Sequence, residues 1–329
     1  MVEPIKVSPT EDGIRLMRWF ARRYPRMPQG EFRKLCRTGQ IRVNAGRVRG
    51  NEILNTGDVV RIPPAAQSFA ATTENRKPKN ESGGSFSMSD LEKLRRRIIH
   101  DDDDIVVFDK PAGLAAQGGT GISKSLDKMA AALFPHSIVL LVHRLDRETS
   151  GAIVLAKNQA AAQSLAEQFQ SKTAAKEYLA LLTGVPAKKR GTIENFMAKG
   201  RVMDAEEAAE FKARTGLKVN RAVTKYKVLD EMPGVLAWVQ FCPETGRTHQ
   251  LRMHAAFSLG APIVGDQLYG RESGVKDNKL KAMIESDKLF LLAHRLSFRH
   301  PRTNKIITIR AALPEFMKSA IELLGFKEP

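Results

Sequence analysis

Hydrophobic residues recur at helical spacing in two short segments near the start of the chain. The first, EDGIRLMRWFARRYP, places Ile14, Met17, Trp19 and Phe20 at this spacing, and the second, GEFRKLCRTG, ends at Gly39. Both patterns predict amphipathic helices. The stretches QIRVNAGRV and DVVRIPP then alternate between apolar and polar residues, as strands do. The pattern therefore predicts a small module of two helices and a few strands.

Strand patterns outnumber helix patterns in the rest of the chain. The β-branched and aromatic content predicts six strands, in DIVVFDK, KEYLALLTG, AVTKYKVLDEM, VLAWVQFCPE, LFLLAHRLSFRH and KIITIRAAL. Helices are predicted in NQAAAQSLAEQFQSK, TGRTHQLRMHAAFSLG and PEFMKSAIELLG. Strands and helices do not alternate regularly. We therefore predict an α+β fold with a mixed, largely antiparallel sheet and helices on its faces.

Three segments lack a strong apolar pattern. Residues 65–88 are rich in Ala, Ser, Thr, Asn and Gly, which is the composition of a flexible linker. RRRIIHDDDD joins a basic to an acidic run and is interpreted as a solvated approach to the first strand. Residues 200–220 are interpreted as a surface excursion with a short helix. The predicted domains are thus residues 12–62 and 89–329, joined by the linker 65–88.

The charge of the chain favours a polyanionic partner. Lys and Arg number 53 against 36 Asp and Glu, a formal net charge of +17. Such a charge favours RNA or DNA, although a solubility charge or an anionic membrane surface would also account for it. Two cysteines, Cys36 and Cys242, argue against a disulfide framework or a zinc site. No apolar run reaches the roughly 18 residues of a membrane span, so we expect a cytosolic protein.

The segment HRLDRETSGAIVLAKN, residues 143–158, carries the strongest candidate for chemistry. Its carboxylate, Asp146, lies between Arg144 and Arg147. Cationic neighbours favour the ionised form of a carboxylate, which can act as a nucleophile or base. The alternative is that Asp146 forms a structural ion pair or caps the turn at Ser150–Gly151. Local composition leaves both interpretations open.

HRLDRETSG resembles the central motif of the RluA-type pseudouridine synthases, and Asp146 matches the catalytic aspartate of that family. Three further stretches match in the same order: DDDIVVFDKPAGL, KEYLALLTG and ETGRTHQLRMHAAFSLGAPIVGDQLYG. The resemblance spans nearly all of residues 90–313. It implies an RNA pseudouridine synthase in which an Asp nucleophile acts without a metal or an organic cofactor. His249 and His254 lack the spacing of a metalloprotease zinc pair, which is consistent with this implication.

The resemblance also assigns roles to residues beyond Asp146. Tyr178 matches the active-site tyrosine of the family, whose ring would stack on the flipped uracil with its hydroxyl near the C5 proton. Arg252 matches the basic residue that pairs with the catalytic aspartate. Leu251 would face the same cavity and pack on the base. Because a stacked helix hides the reacting atoms of uracil, the target base is expected to leave the stack.

Other motif residues are expected to contact RNA or to shape the scaffold. In the second domain these RNA contacts are Lys110, His143, Arg144, Arg147, Arg247, Thr248, His249 and Gln250. The first domain, with RTGQIRVNAGRV at its centre, resembles the S4 RNA-binding domain over residues 12–62. Its expected phosphate contacts are Arg33, Lys34, Arg37 and Arg42.

The function predicted from these motifs is pseudouridine formation in 23S ribosomal RNA, free or in an assembly intermediate, as in the RluC and RluD branch of the family. A transfer-RNA or dual substrate is an alternative, because the motifs define the chemistry and not the nucleotide. A noncatalytic RNA-binding protein of ribosome assembly is a second alternative, against which the intact Asp146, Tyr178 and Arg252 argue. A nuclease or glycosidase would need clustered or paired carboxylates, and the central motif has one aspartate.

Overall fold

The structure is a computed structural model that describes residues 4–8, 11–24, 27–69, 86–119, 122–198, 200–270 and 288–328. The chain divides into two compact units, Met1–Glu81 and Ser82–Pro329. Each unit has its own hydrophobic core. No helix in the described ranges is both long and apolar enough to cross a membrane.

The N-terminal unit packs two helices on a four-stranded sheet. Its helices are α1 (Leu16–Arg23) and α2 (Gln29–Arg37), and its strands are β1 (Ile5–Lys6), β2 (Arg42–Val43), β3 (Gly46–Arg47) and β4 (Val59–Arg61). The strand order is β1-β4-β2-β3. Trp19, Phe20 and Phe32 lie in the core between helices and sheet. Both predicted helices are present, and strands occur in both segments where strands were predicted.

The C-terminal unit is built on one large sheet. Its described strands are β5 (Ile98–Asp101), β6 (Ile105–Lys110), β7 (Leu140–Leu141), β8 (Ser150–Ala156), β9 (Ala175–Thr183), β10 (Arg190–Ala198), β11 (Arg201–Met203), β12 (Asn220–Met232), β13 (Leu236–Pro243), β14 (Leu291–Arg299) and β15 (Ile306–Arg310). The main order is β11-β10-β12-β13-β9-β14-β8-β6-β5, with β15 on β14 and β7 on β8. All these pairs are antiparallel except β8 with β14. The predicted mixed, largely antiparallel α+β fold is confirmed.

Helices cover this sheet. They are α3 (Met88–Arg95), α4 (Leu126–Leu133), α5 (Gln159–Gln170), α6 (Ala205–Thr215), α7 (Gln250–Met253) and α8 (Glu315–Leu324), with a π-helical turn at His254–Ser258. One core cluster contains Val154 with Leu165 of α5 and Ile321 of α8. A second cluster contains Ile153 with Met129 of α4. Strand β8 is therefore buried on both faces.

Several sequence-based expectations about secondary structure need correction. Strands β8 and β10 were not predicted: β8 is a continuous apolar run without alternation, and β10 contains Gly191, Glu194 and Asn195, which are uncommon in strands. The stretch containing β5 is paired with β6 and is not merely a solvated approach. The helix predicted from residue 245 begins at Gln250, because His249 has a left-handed backbone with φ of 55°.

The predicted linker at residues 65–88 has ordered ends. Pro64–Phe69 forms a 3₁₀ helix. At the other end, Ser87 caps α3 through a reciprocal pair of hydrogen bonds with Asp90. The intervening residues 70–85 lie outside the described residues.

Candidate active site

A cavity of about 790 Å³ opens where the loop before β8, the start of β9 and the loop before α7 meet. Asp146, Tyr178, Leu251 and Arg252 all line it. These four residues come from three sequence motifs, and the first and last of them, Asp146 and Arg252, are more than 100 residues apart in the chain. The fold therefore brings together the residues that the sequence singled out for chemistry.

Backbone hydrogen bonds fix the loop that carries Asp146. The carbonyl of Arg147 accepts a bond from the backbone N–H of Gly113 at 2.9 Å and another from Lys110 Nζ at 3.0 Å. Lys110 also donates to the carbonyls of Pro111 and Leu114, at 3.0 and 2.8 Å. The turn after β6 and the loop before β8 are thus held together by one ammonium group.

The predicted phosphate contact of Lys110 is therefore wrong. Its side chain is fully buried, and its three N–H groups point at three carbonyls. Burial lowers the pKa of Lys110 to about 7, with Glu148, Asp146 and Asp109 opposing this effect. A buried cation whose donors are satisfied by the backbone is a scaffold element.

Close contact between β8 and β14 holds the other end of the Asp146 loop. Gly151 has φ of +111°, and a Cβ at this position would lie 2.3 Å from the carbonyl oxygen of Ala293. Only glycine accommodates both the backbone conformation and this approach. The requirement explains the glycine that follows the motif serine, Ser150, at the start of β8.

The carboxylate of Asp146 faces the cavity without a fixed partner. No hydrogen bond or ion pair joins it to any residue in the described part of the chain. The predicted alternative of a structural ion pair or a turn cap is therefore not realised among these residues; only the backbone carbonyl of Asp146 bonds to the N–H of Thr149. A half-buried carboxylate with free lone pairs is available to a ligand.

Tyr178 lies in the middle of β9, between β13 and β14. Burial, together with the negative charge of Asp146, raises the pKa of Tyr178 above its ordinary value. The phenol therefore stays protonated throughout the neutral range. Its position offers the cavity an aromatic ring with a neutral hydroxyl.

Arg252 forms its ion pair with Asp266 and not with Asp146. Nε and Nη2 of Arg252 donate to the two carboxylate oxygens of Asp266 at 2.8 and 2.6 Å. Burial opposes the charge on Arg252, but these bonds, with a smaller contribution from Asp146, raise its pKa. The expected direct pairing is corrected: the guanidinium of Arg252 is bound by Asp266.

An aromatic group supports the ion pair. The guanidinium carbon of Arg252 lies 5.3 Å from the centroid of the Tyr269 ring. The hydroxyl of Tyr269 is 3.0 Å from His249 Nδ1, and Phe257 contacts the same ring edge-on. Asp266 also accepts the backbone N–H of Tyr269 at 3.0 Å. His249 is half-buried, and its hydrogen bond with the Tyr269 hydroxyl orients that ring.

Two further predicted RNA contacts are scaffold residues. Nε2 of His143 accepts the N–H of Val154 at 3.1 Å, and its ring stacks on Phe169. Burial and the nearby Lys176 lower the pKa of His143 to about 3, so it is neutral at physiological pH. Gln250 is buried. Its Nε2 donates to the Val223 carbonyl and the Thr224 hydroxyl, and its Oε1 accepts a hydrogen bond from the Thr245 hydroxyl. Both residues line the cavity, but their polar groups serve the fold.

The remaining predicted contacts are accessible. Arg144, Arg247 and Thr248 are exposed on the cavity wall, and Leu251 lines the cavity between them and Arg252. Arg147 is exposed and donates to the Gly113 carbonyl at 3.0 Å. In the N-terminal unit the exposed side chains on α2 are Arg33, Lys34 and Arg37, whereas Arg42 of β2 is half-buried and donates to the Gly39 carbonyl.

Two polar residues of the site were missed by sequence reasoning. Asp266 was not among the predicted site residues, although its place in a motif following Arg252 was a usable signal. Lys176 lines the cavity two residues before Tyr178. The period-two alternation of strands places residues 176 and 178 on one face, so the prediction of β9 already contained this information.

The structure also contains a group with the composition of a cation site, formed by Asp102, Asp104 and His300. None of the three lines the cavity. Arg302 pairs with Asp104 at 2.7 Å, and His100 lies 2.7 Å from Asp102. These partners account for the acidic charge, so the group is interpreted as an ion-pair network.

Comparison with known proteins identifies the class of this site. Residues 104–257 match the sequence profile of the RNA pseudouridylate synthase family. The chain is 31% identical over 324 residues to ribosomal large subunit pseudouridine synthase C of Haemophilus influenzae, covering 98% of this chain and 95% of that protein. The chain belongs to the RluA-type pseudouridine synthase family, and the protein is an RNA pseudouridine synthase.

Other relatives agree with this assignment. The protein of Escherichia coli with the same name is 32% identical over 325 residues, which cover 98% of this chain and 97% of that protein. Among solved structures, human RNA pseudouridylate synthase domain containing 4 superposes with a TM-score of 0.59 and 28% identity, covering 73% of this chain and 97% of that one.

Proposed function

We propose that this enzyme isomerises uridines in 23S ribosomal RNA, in the cytoplasm, with Asp146 as its nucleophile. The ribosomal target is supported by the names of its full-length relatives, which are ribosomal large subunit pseudouridine synthases. The role of Asp146 is supported by one observation above the others. Its carboxylate lies at the wall of the cavity with no fixed partner among the described residues, whereas the neighbouring Arg252 is held by Asp266.

The reaction rearranges bonds within one nucleotide. Asp146 forms a covalent bond to the nucleotide, the N1–C1′ bond breaks and the uracil rotates; a C5–C1′ bond then forms, and the bond to Asp146 breaks before the product leaves. C5 loses its proton and N1 gains one, so no external reagent is consumed. The target base must leave the RNA stack to reach Asp146. The cavity volume of about 790 Å³ accommodates a flipped nucleotide.

Tyr178 and Arg252 assist from fixed positions. The Tyr178 ring provides a flat apolar surface for uracil, and its protonated hydroxyl can donate a hydrogen bond to the base. Arg252 keeps a positive charge at the cavity wall because Asp266 orients its guanidinium.

The N-terminal unit is proposed to dock RNA in the manner of an S4 domain, over residues 12–62. The supporting observation is the exposed basic face of α2, formed by Arg33, Lys34 and Arg37. Phosphate contacts of this kind add affinity without taking part in bond breaking. The catalytic unit would then comprise residues 89–329.

Pseudouridine mapping tests the proposal directly. Cells lacking the gene are supplied with the wild-type enzyme, with Asp146→Asn, or with the control Asp103→Asn, which alters a carboxylate that is 85% exposed. The wild-type enzyme and the control should restore specific pseudouridines in 23S ribosomal RNA, and Asp146→Asn should restore none. Modification of transfer RNA alone would overturn the ribosomal target. Near wild-type modification by Asp146→Asn would overturn the nucleophile.

A further inference from the structure

Lys176 lies on the cavity face of β9, directly beside the catalytic tyrosine. Residues 176 and 178 share one face of the strand and both line the cavity. The residue between them, Glu177, points to the opposite face, where it pairs with Arg295 at 2.7 Å. Lys176 is therefore aimed at the same space as Tyr178.

The Lys176 ammonium has no partner among the described residues. No hydrogen bond or ion pair reaches its Nζ there, and burial alone lowers its pKa from the ordinary value. The other buried cations of the site differ, since Lys110 is bound by three carbonyls and Arg252 by Asp266. A half-buried cation without a counter-charge lowers stability unless a ligand supplies one.

The surroundings of Nζ suit an anion. A Cβ at Gly246 would lie 3.7 Å from Nζ, so a side chain there would take up the space in front of the ammonium. The adjacent Arg247 and Thr248 are exposed on the cavity wall. Basic side chains outnumber acidic ones along the cavity wall. The basic residues are Arg144, Lys172, Lys176, Arg247 and Arg252, and the acidic residues are Asp146 and Glu244.

We propose that Lys176 binds a backbone phosphate of the flipped target nucleotide and holds it while its base lies between Asp146 and Tyr178. The phosphate of a nucleotide is separated from its base by one sugar. Lys176 and Tyr178 are likewise close neighbours on one face of β9, so a base that stacks on Tyr178 would bring its phosphate near Lys176. A charge-assisted hydrogen bond here stabilises the extruded conformation over the stacked one. The inference rests on the proposed placement of the base beside Asp146, and it holds whichever RNA carries the target.

The contact is tested by removing the charge of the RNA phosphate, the charge of Lys176, or both. The probe is a short RNA with a uridine that the full-length wild-type enzyme converts, made with a single methylphosphonate linkage on the 5′ or the 3′ side of that uridine. The enzyme variants are Lys176→Met, which keeps the alkyl stem, and the control Lys227→Met on an exposed position of β12. Binding and turnover are measured separately for every combination.

Loss of either charge should reduce kcat/KM by about tenfold or more, the range of a charged hydrogen bond. One methylphosphonate should weaken the wild-type enzyme and Lys227→Met but have no further effect on Lys176→Met. The slope of log affinity against log salt should fall by about 0.7 in Lys176→Met.

Two results would overturn the proposal. One is a methylphosphonate penalty of equal size in the wild-type enzyme and in Lys176→Met. The other is a wild-type enzyme that tolerates both modified linkages, a measurement that needs no variant to fold. Failure of Asp146 as nucleophile is detected independently, because Asp146→Asn would then turn over while the binding data on Lys176 remained valid.

Discussion

Replacing Asp266 by Asn removes the charge of the best-buried carboxylate in the site with little change in shape. The side chain of Asp266 is 0% exposed and that of Arg252 is 6% exposed. One asparagine oxygen can keep the bonds to the backbone N–H groups of Leu268 and Tyr269, which Oδ1 of Asp266 accepts at 2.9 and 3.0 Å. The amide nitrogen then faces Nε of Arg252, donor against donor.

The expected loss follows from the buried charge left behind. Removing one partner of a buried ion pair destabilises a protein by about 3–5 kcal/mol, because the other charge remains desolvated. A native domain is stable by about 5–15 kcal/mol in total. Asp266→Asn should therefore remove a large fraction of the stability of the C-terminal unit. Turnover should fall as well, since Arg252 loses its orientation.

Urea denaturation followed by the fluorescence of Trp238, in an enzyme carrying Trp19→Phe, measures this loss. The control is Glu194→Gln, which breaks an ion pair with Arg221 that is 50% exposed on both sides and should leave the midpoint unchanged. Acidification adds a second test. The folded pKa of Asp266 lies below its ordinary value of 3.8, so its stabilisation is present above that pH and is lost as the pH falls through the folded pKa.

Two outcomes would refute this reasoning. An Asp266→Asn enzyme with the urea midpoint of the wild type would show that the ion pair contributes no net stability. A double variant, Asp266→Leu with Arg252→Met, that is no more stable than Asp266→Asn would show that the loss comes from packing and not from the unpaired charge. Apolar replacement of a whole buried pair is otherwise close to neutral.

Three further predictions concern other parts of the chain. Gly151→Ala should destabilise the C-terminal unit and abolish turnover, measured by thermal unfolding and tritium release, because its Cβ would lie 2.3 Å from a carbonyl oxygen; a wild-type melting temperature would contradict this. Glu11, whose hydrogen bond with Arg23 lowers its pKa to about 2, should stabilise the N-terminal unit above pH 4.5, with loss as the pH falls toward 2. Unfolding of the N-terminal unit is followed against pH by Trp19 fluorescence; Glu11→Gln should flatten this pH dependence, and an unchanged pH dependence would exclude the Glu11–Arg23 pair as its cause. The truncated protein 82–329 should keep turnover at saturating RNA but bind with a shallower salt dependence; an unchanged slope would mean that the basic face of α2 is only solvated.

Sequence patterns located strands that are rich in β-branched and aromatic residues. They located β9, β12 and β13, and with β9 the position of Tyr178. They did not locate β8, whose continuous apolar run shows no alternation, or β10, which contains Gly191, Glu194 and Asn195, residues that are uncommon in strands.

The motifs predicted which residues meet at the site better than what each one does. Lys110, His143 and Gln250 belong to matched motifs, but their polar atoms bond to the surrounding backbone and side chains. The direction of a side chain depends on distant carbonyls and turns, which the order of residues does not specify. The pairing of Arg252 with Asp266 depends in the same way on the turn that follows α7.

The position of β14 means that the catalytic sheet is complete only when the last part of the chain has been synthesised. In the described sheet, β14 lies between β8, which follows Asp146, and β9, which carries Tyr178. A nascent chain whose last residue precedes Leu291 has both motifs but lacks the strand that joins them. The N-terminal unit emerges from the ribosome more than 200 residues before that strand. A growing chain therefore completes its N-terminal unit long before it contains the strand that joins the Asp146 and Tyr178 motifs.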